Sequence, residues 1–67
     1  MTIELTIINE KGQTICERER YDLEELKRHP AFSGEERGQM DAFYLGWDAT
    51  TIFRGASQFR LSRVYGD

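Results

Sequence analysis

Apolar and polar side chains alternate along the first eight residues, with Ile3, Leu5 and Ile7 set between Thr2, Glu4, Thr6 and a further apolar residue, Ile8. A period of two is the pattern of a half-buried strand. The next four residues, Asn9-Glu10-Lys11-Gly12, fit a type I turn with glycine in the left-handed bulge position after it. This predicts a hairpin with Asn9 opposite Gln13, which sets Ile7 against Ile15, Leu5 against Glu17 and Glu4 against Arg18. The same register puts Glu17 and Glu19 on the face of Ile3 and Leu5. Carboxylates are costly there unless the face runs into solvent, meets arginines, or is relieved by a bulge near Cys16.

Two helix starts follow. Asp22 can cap a helix that begins at Leu23, with Glu25 three residues on and Tyr21 able to staple onto Leu26. Pro30 disfavours helical geometry at His29, so this helix covers residues 23 to 28 and buries Leu23 and Leu26. Ser33 and Glu36 form a second capping box. No proline interrupts the chain after it and Gly55 is a natural left-handed stop, so the pattern predicts a long helix from Gly34 to an end between Ala49 and Arg54. The β-branched run Thr50-Thr51-Ile52 argues for the earlier end. Phe59, Leu61 and Val64 then mark a C-terminal strand. The expected fold is α+β in the order ββααβ, a single domain over residues 1 to 67, with the long helix covering a three-stranded antiparallel sheet whose central strand is the first.

The long helix would carry two stripes. Met40, Phe43, Tyr44 and Trp47 lie at spacings 0, 3, 4 and 7 and are expected to pack on the sheet. Gly38, Ala42 and Gly46 repeat every four residues, with Leu45 and Ala49 beside them. Glycines in a water-facing helix each cost about 1 kcal/mol relative to alanine, so close approach of another backbone is expected to offset them. That neighbour is either a segment of the same chain or another molecule, and the second reading makes Gly38, Ala42, Leu45, Gly46 and Ala49 a candidate protein interface. Arg37 and Asp41 are spaced as an i, i+4 ion pair on the solvated edge, with Asp48 seven residues on.

Composition changes the picture in a few places. Hydrophobic residues make up 39% of the chain and charged residues 31%, a globular balance rather than a disordered one. One cysteine, Cys16, and one histidine, His29, permit no internal disulfide and offer few soft ligands, so neither a metal nor a cofactor is expected. The first residues lack the basic region of a signal peptide and the length of a membrane span, so a cytoplasmic location is expected. Residues 1 to 50 hold 6 Lys/Arg against 11 Asp/Glu, net −5, while residues 51 to 67 hold three Arg against one Asp, net +2.

These features order the functional classes. Nucleophilic catalysis needs a paired base, and phosphate binding at Gly34 is opposed by Glu35 and Glu36, so enzymatic activity is not expected. Arg54, Phe59, Arg60 and Arg63 mix cations with an aromatic ring, as single-strand nucleic-acid surfaces do, but pairing of these arginines with Glu4, Glu17 or Glu19 accounts for them better. A small non-enzymatic protein-binding module, with a protein partner or self-association, leads. The run Ala42-Phe43-Tyr44-Leu45-Gly46-Trp47-Asp48-Ala49 has the form A-F-x-x-G-W-x-A and resembles a helix of small tailed-phage and prophage accessory proteins. The resemblance covers eight residues and implies binding to a host or phage component, with no catalytic residue.

Overall fold

The computed structural model describes residues 1–66 of the chain. Its elements are β1 (Thr2–Ile8), β2 (Thr14–Asp22), α1 (Leu23–Arg28), α2 (Gly34–Met40), a 3₁₀ helix (Asp41–Leu45), β3 (Ala49–Arg54) and β4 (Ser57–Val64). The four strands form one antiparallel sheet in the order β2-β1-β4-β3, and the helices cover one of its faces. The α+β class stands. The three-stranded sheet and the long helix do not: a fourth strand replaces the helix's second half, and β1 shares the interior of the sheet with β4.

Local chemistry explains the elements that the pattern locates. Asn9 shapes the first turn, its side-chain oxygen accepting from the Lys11 and Gln13 N–H groups at 3.0 and 2.9 Å, and Gly12 takes φ +79°. Asp22 caps α1 through the Glu24 N–H at 3.1 Å. Ser33 and Glu36 exchange both bonds of the second capping box, at 2.8 and 3.2 Å.

Beyond the turn, β2 departs from the expected register. Ile7 pairs with Cys16, Leu5 with Glu19 and Glu4 with Arg20, because two single-residue bulges intervene. The first leaves Ile15 on the outside, 63% exposed. The second contains Arg18, whose φ of +49° is left-handed and whose N–H reaches the Thr6 hydroxyl at 3.2 Å. These bulges place Glu19 and Tyr21 opposite Leu5 and Ile3, and the Tyr21 hydroxyl donates to Glu19 at 2.6 Å. Glu4 meets Arg20 at 3.4 Å rather than Arg18.

The long helix fails at Met40 for a geometric reason. A 3₁₀ helix has three residues per turn, so residues i and i+3 fall in line. Met40 and Phe43 both point into the core and are fully buried, whereas Tyr44 and Trp47 rotate out to solvent. Gly46 ends the turn at φ +94°, its N–H bonded to the Ala42 and Phe43 carbonyls. The β-branched run after it pairs with β4 through a two-residue turn, Gly55-Ala56, in which Gly55 takes φ +57° at the first central position, where a type II′ turn needs glycine. The core is therefore Ile3, Leu5, Ile52 and Leu61 from the sheet against Leu23, Leu26, Phe32, Met40 and Phe43.

Candidate protein-interaction surface

The exposed apolar side chains concentrate where the 3₁₀ helix meets β3. Leu45 and Trp47 flank Gly46 and are 81% and 60% exposed, with Tyr44 half exposed beside them. The backbone beneath is fixed from both sides. Tyr44 donates its hydroxyl to the Glu24 carboxylate, and the Lys27 ammonium lies 5.1 Å from its ring centre. The Trp47 N–H bonds the Ala42 carbonyl at 3.1 Å, and the Asp48 carbonyl accepts from Arg63 at 2.8 Å. Tyr65 joins the same corner by donating to the Asp48 carboxylate, a bond that raises the phenol's pKa above its ordinary value. The Arg63 guanidinium lies 4.6 Å from the Tyr65 ring centre. Large rings and Leu45 are thus held in water on a fixed support.

The small-residue positions occupy this region without the close neighbour expected for them. A Cβ at Gly38 or Gly46 would meet no atom within 4 Å. Gly46 is glycine because of its positive φ, not because a backbone approaches it. Ala42 is partly covered, while Gly38, Leu45, Gly46 and Ala49 are open to solvent. Nor is the run Ala42 to Ala49 one helix, as the phage resemblance would have it: it passes from the 3₁₀ helix through a left-handed glycine into β3. The Arg37–Asp41 pair does not form either. Asp41 binds the Lys27 ammonium at 2.5 Å, and Arg37 donates to the His29 carbonyl at 3.2 Å.

The basic set is divided between two faces of the sheet. Arg54 and Phe59 lie on the covered face, where Arg54 grips both Glu36 oxygens at 2.7 and 2.8 Å, donates to the Ala31 carbonyl and stacks 4.6 Å from the Phe59 ring centre. Those hydrogen bonds from Arg54, with the Ser33 N–H, hold Glu36 down to about 2. Pairing with Leu5, Thr6 and Ile3 puts Leu61 and Arg63 on that face and Arg60 on the open one, where Arg60 bonds Gln58 at 3.2 Å. The four residues do not form one surface. The carboxylate partner of Arg54 is Glu36 on α2, not a glutamate of the hairpin.

One juxtaposition escaped the sequence pattern. Cys16 and His29 line the same cavity, about 180 Å³, with Glu19, Tyr21 and apolar walls from both layers. Burial and the neighbouring Glu19 push the Cys16 thiol up, which keeps it protonated, and its Sγ lies 3.7 Å from the Leu5 carbonyl. His29 Nδ1 is occupied as acceptor for the Ala31 N–H at 3.1 Å. A protonated thiol is a poor nucleophile. Among the described residues no three His, Cys, Asp or Glu side chains gather as metal ligands would, and no helix is long and apolar enough to cross a membrane.

The exposure of Trp47 and the existence of β3 were the features missed by periodicity. The signal for β3 was present in Thr50-Thr51-Ile52-Phe53 followed by Gly-Ala, a strand-and-turn pattern that the four-residue spacing of small side chains obscured. Comparison with protein-family models, curated proteins and solved structures finds no match for this chain.

Proposed function

We propose that this chain is a non-enzymatic protein-binding module that contacts its partner through the corner formed by Tyr44, Leu45, Trp47 and Tyr65. The observation carrying this reading is the exposure of Leu45 and Trp47 on a backbone anchored at both ends. Aromatic side chains combine large apolar area with few rotatable bonds, so a preset aromatic surface loses little entropy on binding. Contiguous exposed apolar residues on a small domain mark interaction sites. An accessory role in a tailed phage or prophage has only the sequence likeness of Ala42 to Ala49 behind it, since those residues do not form the helix of that likeness.

Affinity purification from the native cell, with the full chain as bait, tests the proposal. At least one protein retained by wild type should be depleted about tenfold or more when Leu45 and Trp47 are both changed to Ser, a loss of about 1.4 kcal/mol or more in binding. Circular dichroism establishes that the double variant is folded. Identical sets of retained proteins would overturn the assignment of the corner.

A further inference from the structure

The outer edge of β3 carries a second and more specific recognition code. Its orientation follows from one hydrogen bond: Arg63 N–H donates to the Asp48 carbonyl at 2.8 Å, so Asp48 faces β4. In an antiparallel ladder the residues facing the neighbour alternate with those facing away. Thr50, Ile52 and Arg54 therefore turn their backbone polar groups toward β4, and Arg54 closes the hairpin opposite Ser57. Ala49, Thr51 and Phe53 turn theirs outward. No hydrogen bond among the described residues reaches those outward groups.

We propose that the occupant of this edge is a second copy of the chain, paired β3 to β3 in antiparallel fashion about a two-fold axis at Thr51, which joins two four-stranded sheets into one. This contact goes beyond the protein-binding reading above and is separate from the Leu45–Trp47 corner. Three kinds of pair complement one another in this register. Thr51 meets Thr51, the large Phe53 meets the small Ala49, and Thr50 meets Ile52 on the covered face. A shift of two residues in either direction sets Thr51 against Ala49 or Phe53 and removes the Ala49–Phe53 match. Each outward N–H and C=O of Ala49, Thr51 and Phe53 finds a partner, which is the currency of strand addition.

The surroundings leave space for such a strand. A groove of about 620 Å³ runs beside the end of β3, bordered by Phe53, Arg54 and the α2 residues Glu35, Glu36 and Gln39. Phe53 is 66% exposed, and β3 carries no Lys, no Pro and no bulge, the devices by which edge strands refuse pairing. A two-fold contact is isologous and closed, so pairing ends at the dimer and leaves β2 as both outer edges.

Sedimentation equilibrium of the full chain, followed from micromolar to millimolar protein, tests the pairing. Wild type should show a monomer–dimer equilibrium. Thr51→Pro removes an outward N–H that serves no bond to β4, and the double change Ala49→Lys, Phe53→Lys sets like charges opposite one another across the two-fold axis. Each should weaken dimerisation at least ~100-fold while circular dichroism stays that of the folded protein. The double Lys variant alters only exposed side chains, so it keeps the test valid if Thr51→Pro fails to fold. Leu45→Ser with Trp47→Ser should leave the dimer in place. A wild type that remains monomeric overturns the pairing without touching the Leu45–Trp47 corner, and so does a dimer that dissolves with the corner variant but survives the Lys variant.

Discussion

β2 carries five charged side chains in nine residues, Glu17, Arg18, Glu19, Arg20 and Asp22, together with two bulges and a left-handed arginine, whereas β3 carries Arg54 alone in six residues and keeps an unbroken register with β4. Both are edges of the same sheet. Bulges and charges twist or repel an incoming strand, so β2 is closed to pairing by its own sequence. β3 has no such protection, and its one charge is occupied: Arg54 turns beneath the sheet to Glu36 and the Phe59 ring. The difference teaches that the sheet has a direction, with an armoured end at β2 and an open end at β3 beside the Leu45–Trp47 corner.

The largest expected effect separates the edges by what anchors them. Ile52 of β3 is fully buried, whereas Ile15 of β2 is pushed outside by its bulge. Ile52→Ala should cost about 2 to 5 kcal/mol, a large part of the ~3 to 10 kcal/mol expected for a domain of this size. Ile15→Ala should stay within about 0.5 kcal/mol. Urea unfolding followed by circular dichroism at low protein concentration measures both. Equal losses would mean that β2 is anchored by packing as β3 is, and the contrast would collapse.

The clamp beneath β3 should show in acid. Glu36 is held down to about 2 by the hydrogen bonds from Arg54 and from the Ser33 N–H. Its unfolded counterpart titrates near the ordinary carboxylate value of about 4.3, so the unfolded chain binds the proton first as pH falls. The stabilisation is therefore complete above about pH 5 and lost between there and pH 2. Solvent around the partly exposed Arg54 reduces it to about 1 kcal/mol. Glu36→Gln keeps the helix cap and should flatten this part of the stability profile by that amount. An unchanged acid slope would show that the pair contributes nothing to holding β3.

How much of this contrast was legible in the sequence depends on whether a signal was local. The Asn9–Gly12 turn, the Asp22 cap, the Pro30 stop and the Ser33–Glu36 box act within four residues, and each appears where the sequence places it. The bulges of β2 do not announce themselves, because an arginine at positive φ has no residue signature; only the misfit of Glu17 and Glu19 pointed to them. The end of α2 was decided by packing. Met40 and Phe43 suit an α-helical stripe and a 3₁₀ turn equally well, and only the second frees residues 49 to 54 to complete the sheet. With α2 ending at Met40, Trp47 stands in solvent and Gly46 takes a positive φ, so the core and small-residue stripes expected of a long helix do not form.

Arg18 gives a smaller and sharper test of the β2 edge. A non-glycine residue in left-handed geometry costs roughly 1 to 2 kcal/mol, partly offset by the lower entropy of its unfolded chain relative to glycine. Arg18→Gly should therefore raise stability by about 0.5 kcal/mol, and Arg18→Val should lower it by about 1 kcal/mol because branching at Cβ worsens the clash. Thermal melts resolve both signs. If Arg18→Gly destabilised instead, the side chain and not the backbone would be what maintains the bulge.

Trp47 carries the smallest expected stability effect, and for that reason it bears most directly on how the open end is read. It lies one residue outside the Asp48–Arg63 bond that begins the pairing of β3 with β4, and 60% of its surface is in water. A tryptophan belonging to the core would cost about 3 to 5 kcal/mol on truncation and could unfold a chain this small. Trp47→Ala should instead change stability by no more than about 0.5 kcal/mol, as expected for a surface position without a buried partner. The wild-type chain supplies a second measurement, since Trp47 is the sole tryptophan: its emission should be that of an indole in water and should be quenched readily by acrylamide. A large loss of stability, together with blue-shifted and protected emission, would place Trp47 in the interior. The corner would then be covered by the chain itself, and β3 would be the end of the sheet that packing protects, reversing the contrast with β2.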